Sequence, residues 1–296
     1  MQELNGIVIV NKEKGYTSHD AVNIIRRILG TRKVGHTGTL DPNATGVLPI
    51  CVGKSTRVSD MLMFSDKEYI AEVKLGVITD TYDIWGTVVE TKEVNISESM
   101  LKEAVLSFTG EIMQIPPMYS AIKQNGKKLY ELARDGIEVE RKKRKITIYE
   151  CELLSFENDI FKIRVKCSKG TYIRSLCHDI GQYLGCGACM TSLVRTKASV
   201  FDIENSMTLS EIEKKVLTDG ANSVLQPPDT VFECYDRISV TYAVKERLLN
   251  GALSRVNDAV GTYRAYSPDG IFVGIVKVFA GEKGNVIKIV KAFTDR

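Results

Sequence analysis

The sequence predicts a mixed α/β (α+β) protein with one large domain over residues 1–230 and a small β-rich domain over residues 236–296. Three observations predict it. A chain of 296 residues with 44% hydrophobic and 26% charged residues is long and apolar enough to bury a full core. Segments with a period of two alternate along it with stripes at helical spacing that carry their own start and stop signals. Between them, residues 113–145 have the composition of an insertion rather than of core.

Residues 6–10 are a short apolar run and read as a buried strand. Ser18 is placed to cap a helix reaching Leu29, with Ala21, Val22, Ile25, Ile28 and Leu29 on its inner side and Gly30 as its stop. Tyr69, Ala71, Val73 and Leu75 alternate with Ile70, Glu72 and Lys74, which is strand spacing, and residues 86–91 read as a hairpin partner. Ser97 caps a helical stripe of Met100, Leu101, Ala104, Val105 and Phe108 that Gly110 ends. The insertion is rich in Pro, Gly, Lys and Tyr and holds one short helix near 128–134. Strands follow at 146–154 and 160–167; in the second, Phe161, Ile163, Val165 and Cys167 alternate with Lys162, Arg164 and Lys166. Residues 173–184 form an amphipathic helix stopped by Gly185, and Thr208 to Glu211 is a capping box. Gln226-Pro227-Pro228-Asp229 marks a boundary. Beyond it come a helix at Tyr242–Leu249 and short strands that include 271–279 and 286–291.

Charge is informative in its distribution. The net formal charge is only +3. Residues 113–145, however, carry nine Lys/Arg against four Asp/Glu and contain the run Arg141-Lys142-Lys143-Arg144-Lys145. A run of this kind is either a solvated face or a phosphate-backbone footprint. Residues 236–296 carry ten Lys/Arg against six Asp/Glu. No stretch has the length of a membrane-spanning helix, and the N-terminus lacks the pattern of a signal peptide. Seven cysteines, an odd number, without a secretory signal predict reduced thiols and a cytoplasmic location.

One string stands out: Gly35-His36-Thr37-Gly38-Thr39-Leu40-Asp41-Pro42-Asn43-Ala44-Thr45-Gly46-Val47-Leu48-Pro49. Glycine admits backbone angles that other residues resist, and proline fixes one dihedral, so this loop holds a set shape around a single carboxylate. As an isolated Asp-Pro it would read as a turn whose Asp bonds nearby backbone N–H groups. The whole string resembles the uridine-attacking loop of the TruB family of pseudouridine synthases, G-H-x-G-x-L-D-P-x-A-T-G-x-L-P, at every fixed position. Further blocks follow in the family's order. Lys12 and Gly15 resemble its first motif, Ser65-Asp66-Lys67-Glu68-Tyr69 its tyrosine motif, and Cys167 to Ser175 its arginine motif. Pro116 to Lys123 and Gly126 to Glu131 resemble its tRNA-gripping insertion. The resemblance spans roughly residues 6–200.

The resemblance implies a pseudouridine-synthase catalytic domain built on a largely antiparallel mixed sheet, with the small tail as a PUA-like RNA-binding domain. It implies an isomerase that converts uridine 55 of the tRNA TΨC loop to pseudouridine. The reaction breaks an N-glycosidic bond and rejoins the sugar to C5 of the same base, so it calls for no cofactor and no metal. Asp41 is implied as the essential group; attack on C1′, attack on C6 and assistance to a glycal path all remain open. Arg174 is implied as the guanidinium that keeps Asp41 ionised and oriented. Tyr69 is implied to stack on the flipped base, and Leu193 to pack against it. His36 is implied to fill the gap left in the RNA. Lys12 is implied to support the pocket wall or a phosphate, and Lys123, Lys127, Lys128 and Tyr172 to contact the RNA. The implied partner is the TΨC stem-loop of tRNA, with no membrane, no obligate protein partner and a monomeric state. A guide-RNA-dependent pseudouridine synthase and a tRNA-folding chaperone are the alternatives.

Two other patterns fail on spacing. Gly46 and Gly53-Lys54-Ser55 suggest a phosphate-binding loop, but six residues separate the glycines where four are required. Cys186 and Cys189, with Cys177 and His178, have the ingredients of a zinc site, but adjacent helical residues point about 100° apart. Asp80 and Asp83 read as loop-ordering or pocket-wall residues rather than metal ligands.

Overall fold

The computed structural model describes residues 4–63 and 65–294. The chain runs through β1 (Gly6–Lys12), α1 (Ser18–Leu29), β2 (Val34–His36), β3 (Thr45–Val52), α2 (Ser59–Met63) and β4 (Lys67–Leu75). The hairpin of β5 (Val77–Thr79) and β6 (Val88–Thr91), α3 (Glu98–Ser107) and β7 (Gly110–Gln114) follow. The insertion holds β8 (Lys123–Gln124), β9 (Lys127–Lys128) and α4 (Leu129–Arg134). Next come β10 (Arg144–Glu157), β11 (Ile160–Cys167), α5 (Ile173–Tyr183), β12 (Ala188–Ala198), β13 (Phe201–Asp202) and α6 (Leu209–Asp219). The tail contains β14 (Asp236–Ser239), α7 (Tyr242–Leu249), β15 (Ser254–Arg255), β16 (Gly261–Tyr266), β17 (Phe272–Gly281) and β18 (Gly284–Ala292).

The main sheet has the order β1-β3-β12-β4-β11-β10-β7, with β2 on β3 and β13 on β12. Its pairings are antiparallel except β12 with β3, where Val194 faces Thr45 and Arg195 faces Gly46. The mostly antiparallel mixed sheet is thus as expected. Five of its strands, β2, β3, β7, β12 and β13, were not read from the sequence. β3 begins inside the motif string, and β12 sits at the middle of the sheet between β3 and β4.

β1 shows why its residues form a continuous apolar run. Val8 and Val10 face the core beneath α1, with Ala21, Val22 and Ile25. Ile7 and Ile9 face the other way, onto a layer with Phe201, Phe232, Ile275 and Phe293 that joins the sheet to the tail. A strand covered on both faces needs no polar alternation. The tail forms its own sheet, β14-β16-β17-β18-β15, around Val273, Val276, Val278 and Leu248. The insertion has a small core of Met118, Leu129 and Leu132.

Several local readings need correction. Thr17, not Ser18, caps α1, because Asp20 stands at the position that closes a capping box with Thr17. Ser18 instead bonds both backbone groups of Leu40. β6 pairs with β5 rather than with the strand at 67–75, whose two sides are taken by β11 and β12. The basic face of β11 is laced with acids: Lys162 pairs with Glu72, Arg164 with Glu152 and Lys166 with Glu150.

Candidate active site

Asp41 projects into a cleft of about 740 Å³ between the main sheet, the 37–44 loop and the insertion. Its loop is held from several sides. Ser18 receives the Leu40 N–H at 2.8 Å and donates its hydroxyl to the Leu40 carbonyl at 3.1 Å. Gly15 N–H donates to the Pro42 carbonyl at 2.9 Å. Lys12 is fully buried and donates its ammonium to the carbonyls of Tyr16 at 2.7 Å, Glu13 at 3.1 Å and Pro42 at 3.2 Å. Burial brings the Lys12 pKa down to about 8, against the opposing pull of Asp41. Lys12 therefore fastens the Asp41 loop from behind, with its ammonium spent on backbone carbonyls.

Arg174 is the second residue of α5, and the start of that helix is clamped. Gln114 accepts the Tyr172 N–H at 2.8 Å and donates to the Tyr172 carbonyl at 3.0 Å, while Ser175 donates to the Ile115 carbonyl at 2.9 Å. The Arg174 side chain is 7% exposed, and its Nε lies 2.9 Å from Oδ2 of Asp41, whose side chain is 43% exposed. Nη1 donates to the Thr81 carbonyl at 3.2 Å and lies 3.6 Å from Asp83 Oδ2; Nη2 donates to the Tyr119 carbonyl at 2.8 Å. A buried guanidinium, held at all three nitrogens, thus presents an accessible carboxylate to the cleft. Burial pushes the Asp83 pKa up, against the lowering effects of the Thr81 hydroxyl and Arg174.

Tyr69 on β4 and Leu193 on β12 form the wall beside Asp41, and Tyr172 lines the same cleft. Burial pushes the Tyr69 phenol up, so it stays protonated. His36 ends β2, outside the cleft lining; its Nδ1 accepts the Gly38 N–H at 3.3 Å, and burial, then Arg195, lowers its pKa. The imidazole is accordingly neutral near pH 7. Lys123 and Lys128 face each other across a two-residue Asn125-Gly126 turn, whose φ values of 51° and 85° fit the hairpin preference of that dipeptide. Directly opposed like charges destabilise a strand pair, and these two side chains concentrate positive charge at the turn. Lys127 is exposed on the same hairpin.

Arg195 was not singled out in the sequence. It is 2% exposed, donates Nε to the Val47 carbonyl at 2.7 Å and Nη2 to the Gly38 carbonyl at 3.2 Å, and lies beside the Tyr69 hydroxyl. A signal existed: on β12 Arg195 has the same parity as Leu193, so both face the cleft side. Gly46 is explained by the same contact. Its φ is +102°, and a Cβ there would overlap the Arg195 backbone where β3 and β12 run parallel. Lys67 also lies buried at the cleft, donating to the Leu62, Met63 and Ser65 carbonyls, with burial bringing it to about 8.

Asp80 accepts the Thr87 N–H at 2.8 Å, and Asp83 accepts from Thr81 and Trp85, so both order the 79–87 turn. Among the described residues no group of three His, Cys, Asp or Glu side chains is placed to hold a metal ion. Cys177, Cys186 and Cys189 are buried free thiols, and His178 stacks on Tyr82 at 4.0 Å. Gly53-Lys54-Ser55 lies in a 3-10 turn whose Lys54 N–H donates to the Asn5 side chain at 2.6 Å.

Residues 26–173 match the TruB family pseudouridylate synthase N-terminal domain, and residues 174–233 match the tRNA pseudouridylate synthase B C-terminal domain. The chain is 45% identical to the tRNA pseudouridine synthase B of Clostridium acetobutylicum, over 98% of this chain and 100% of that one. It is 48% identical to the enzyme of the same name from Clostridium novyi, over 92% and 95%. Among solved structures, the crystal structure of a Cbf5-Nop10-Gar1 complex superposes with a TM-score of 0.73 at 27% identity, covering 98% of this chain and 85% of that one.

Proposed function

The chain belongs to the TruB family of pseudouridine synthases, and we propose that it isomerises uridine 55 in the TΨC loop of tRNA, with Asp41 as the essential carboxylate. The observation that carries this reading is the pairing of an exposed Asp41 with a buried Arg174 at 2.9 Å, on the floor of a cleft. The isomerisation breaks the C1′–N1 bond, turns the base, forms C1′–C5 and replaces the C5 proton by one on N1. Atoms and electrons balance within the substrate and water.

Asp41 supplies the anionic oxygen at the sugar or the pyrimidine. Arg174 fixes the direction of that oxygen, since its other nitrogens are held by backbone carbonyls. The flipped uridine stacks on Tyr69 and packs against Leu193, and His36, neutral and adjacent to the loop, fills the space the base leaves. Lys12 acts through the loop it fastens. Lys123, Lys127, Lys128 and Tyr172 meet the RNA from the insertion side, and the tail, as a PUA-like RNA-binding domain, adds affinity. The protein acts as a monomer in the cytoplasm without a guide RNA. Its described residues include no helix long and apolar enough to cross a membrane.

The test is tritium release from unmodified tRNA labelled at C5 of uridine, with no guide RNA or partner protein, alongside light scattering for the oligomeric state. Release confined to position 55 and lost in Asp41→Asn supports the reading. Tight tRNA binding with no release overturns it in favour of a guide-dependent or chaperone role.

A further inference from the structure

We propose that Trp85, the chain's one tryptophan, is a stacking platform for a nucleobase next to the flipped uridine, with Lys14 meeting the adjoining phosphate. The proposal rests on the RNA substrate proposed above. Trp85 lines the mouth of the Asp41 cleft and is 43% exposed. A large planar apolar side chain open beside a charged cleft is surface available to a planar ligand.

The backbone at Trp85 is fixed relative to the reacting centre. Its main-chain N–H donates to Asp83 Oδ1 at 3.2 Å, and Asp83 Oδ2 lies 3.6 Å from the same Arg174 that holds Asp41 at 2.9 Å. The next residue, Gly86, leaves no room for a Cβ, which would overlap Thr81 Oγ1 and Asp80 Oδ1. One guanidinium therefore sets both the carboxylate on the cleft floor and the turn that carries the indole at its rim.

The chemistry around the ring suits a nucleotide. Lys14 Nζ lies 5.3 Å from the indole centroid, a cation–π distance. Lys14 precedes Gly15, whose N–H bonds Pro42 in the Asp41 loop. Tyr130, from the insertion, lines the same cleft with Lys128 Nζ 5.3 Å and the Arg134 guanidinium 5.4 Å from its ring. Aromatic faces accompanied by cations are what unstacked bases and their phosphates require. A base beside an extruded uridine has lost one stacking neighbour, and the indole replaces it.

A single tryptophan makes the test direct. Adding an unmodified TΨC stem-loop to the full-length Asp41→Asn protein, expected to bind without turnover, should quench the indole emission and protect it from acrylamide. In the otherwise wild-type enzyme, Trp85→Ala should raise KM by about tenfold or more with kcat changed less than about threefold, and Trp85→Phe should restore most of the KM. Stem-loops with an abasic site at each position flanking the target should include one on which wild type and Trp85→Ala have equal KM. Unchanged emission on binding, an unchanged KM in Trp85→Ala, or a penalty that persists on every abasic RNA would each overturn the platform. Quenching without turnover by the wild type would refute the proposed reaction and leave the platform standing.

Discussion

Removing either partner of the Asp41–Arg174 pair should abolish turnover, yet the two losses should differ sharply in stability. Asp41 is 43% exposed at its side chain, so its share of the ion pair is screened by water. Asp41→Asn should change the unfolding free energy by no more than about 1 kcal/mol. Arg174 is 7% exposed and serves four groups: Asp41, Asp83 and the carbonyls of Thr81 and Tyr119. Arg174→Met keeps most of the volume but leaves two carbonyls without their donor, at about 1–3 kcal/mol for each buried group. It also leaves the Asp83 carboxylate, 14% exposed, without its cation. Some relaxation and water entry will recover part of that, so the expected loss is about 3–5 kcal/mol. Urea unfolding with linear extrapolation measures both variants, and single-turnover tritium release at saturating enzyme should fall by about four orders of magnitude or more in each. The reasoning is refuted if the two variants lose equal stability, or if Arg174→Met folds as stably as wild type.

Three further outcomes follow from the geometry. Lys142, Lys143 and Arg144 are exposed on the insertion side, so replacing all three by Gln should lower the salt slope of tRNA binding by about 2–3; the same change at Lys162, Arg164 and Lys166, whose charges are already met by Glu72, Glu152 and Glu150, should leave the slope nearly unchanged. Gly46→Ala, at φ +102° with the Arg195 backbone against the new Cβ, should cost about 3 kcal/mol or more and show as a lowered melting temperature. Burial raises the Asp179 carboxyl from 3.8 to about 6; the folded state therefore prefers it protonated, and this stability is complete below pH 3.8 and lost as pH rises through 6. Asp179→Asn should consequently stabilise the protein by about 1–3 kcal/mol at pH 7.5 and not at pH 3.5, as unfolding at the two pH values will report.

Where a side chain's neighbours are local in sequence, the fold was legible. The alternation of Tyr69 to Leu75 reappears as strict burial alternation in β4, and the Thr208 capping box opens α6. Local reading went wrong at the start of α1, where Ser18 was read as the cap and Thr17 holds that position. The deciding residue was Asp20, three positions beyond Thr17. It also missed β3 and β12, since their burial comes from neighbours far along the chain. β12 carries Thr191, Ser192, Arg195, Thr196 and Lys197, which reads as a polar surface segment. Its polar groups are met across the sheet: Thr191 bonds Glu72, Thr196 bonds Glu68, and Arg195 bonds carbonyls of the motif string.

The same distance dependence explains the candidate site. Asp41 and Arg174 were identifiable from their motifs, but what makes them a pair is distributed over stretches of chain far apart in sequence. The three cations beneath the Asp41 loop illustrate the cost of reading residues singly. Lys12, Lys67 and Arg195 are all buried, and each donates to backbone carbonyls. Carbonyl oxygens satisfy the hydrogen bonds of a cation without cancelling its charge. These groups therefore project a positive field toward the cleft, and water is excluded from the side on which they lie. Burial has already brought Lys12 and Lys67 to about 8, the mark of charges kept at a desolvation cost. Lys67 and Arg195 line the cleft that holds Asp41, and Lys12 lies behind its loop, so the field of all three acts on that carboxylate.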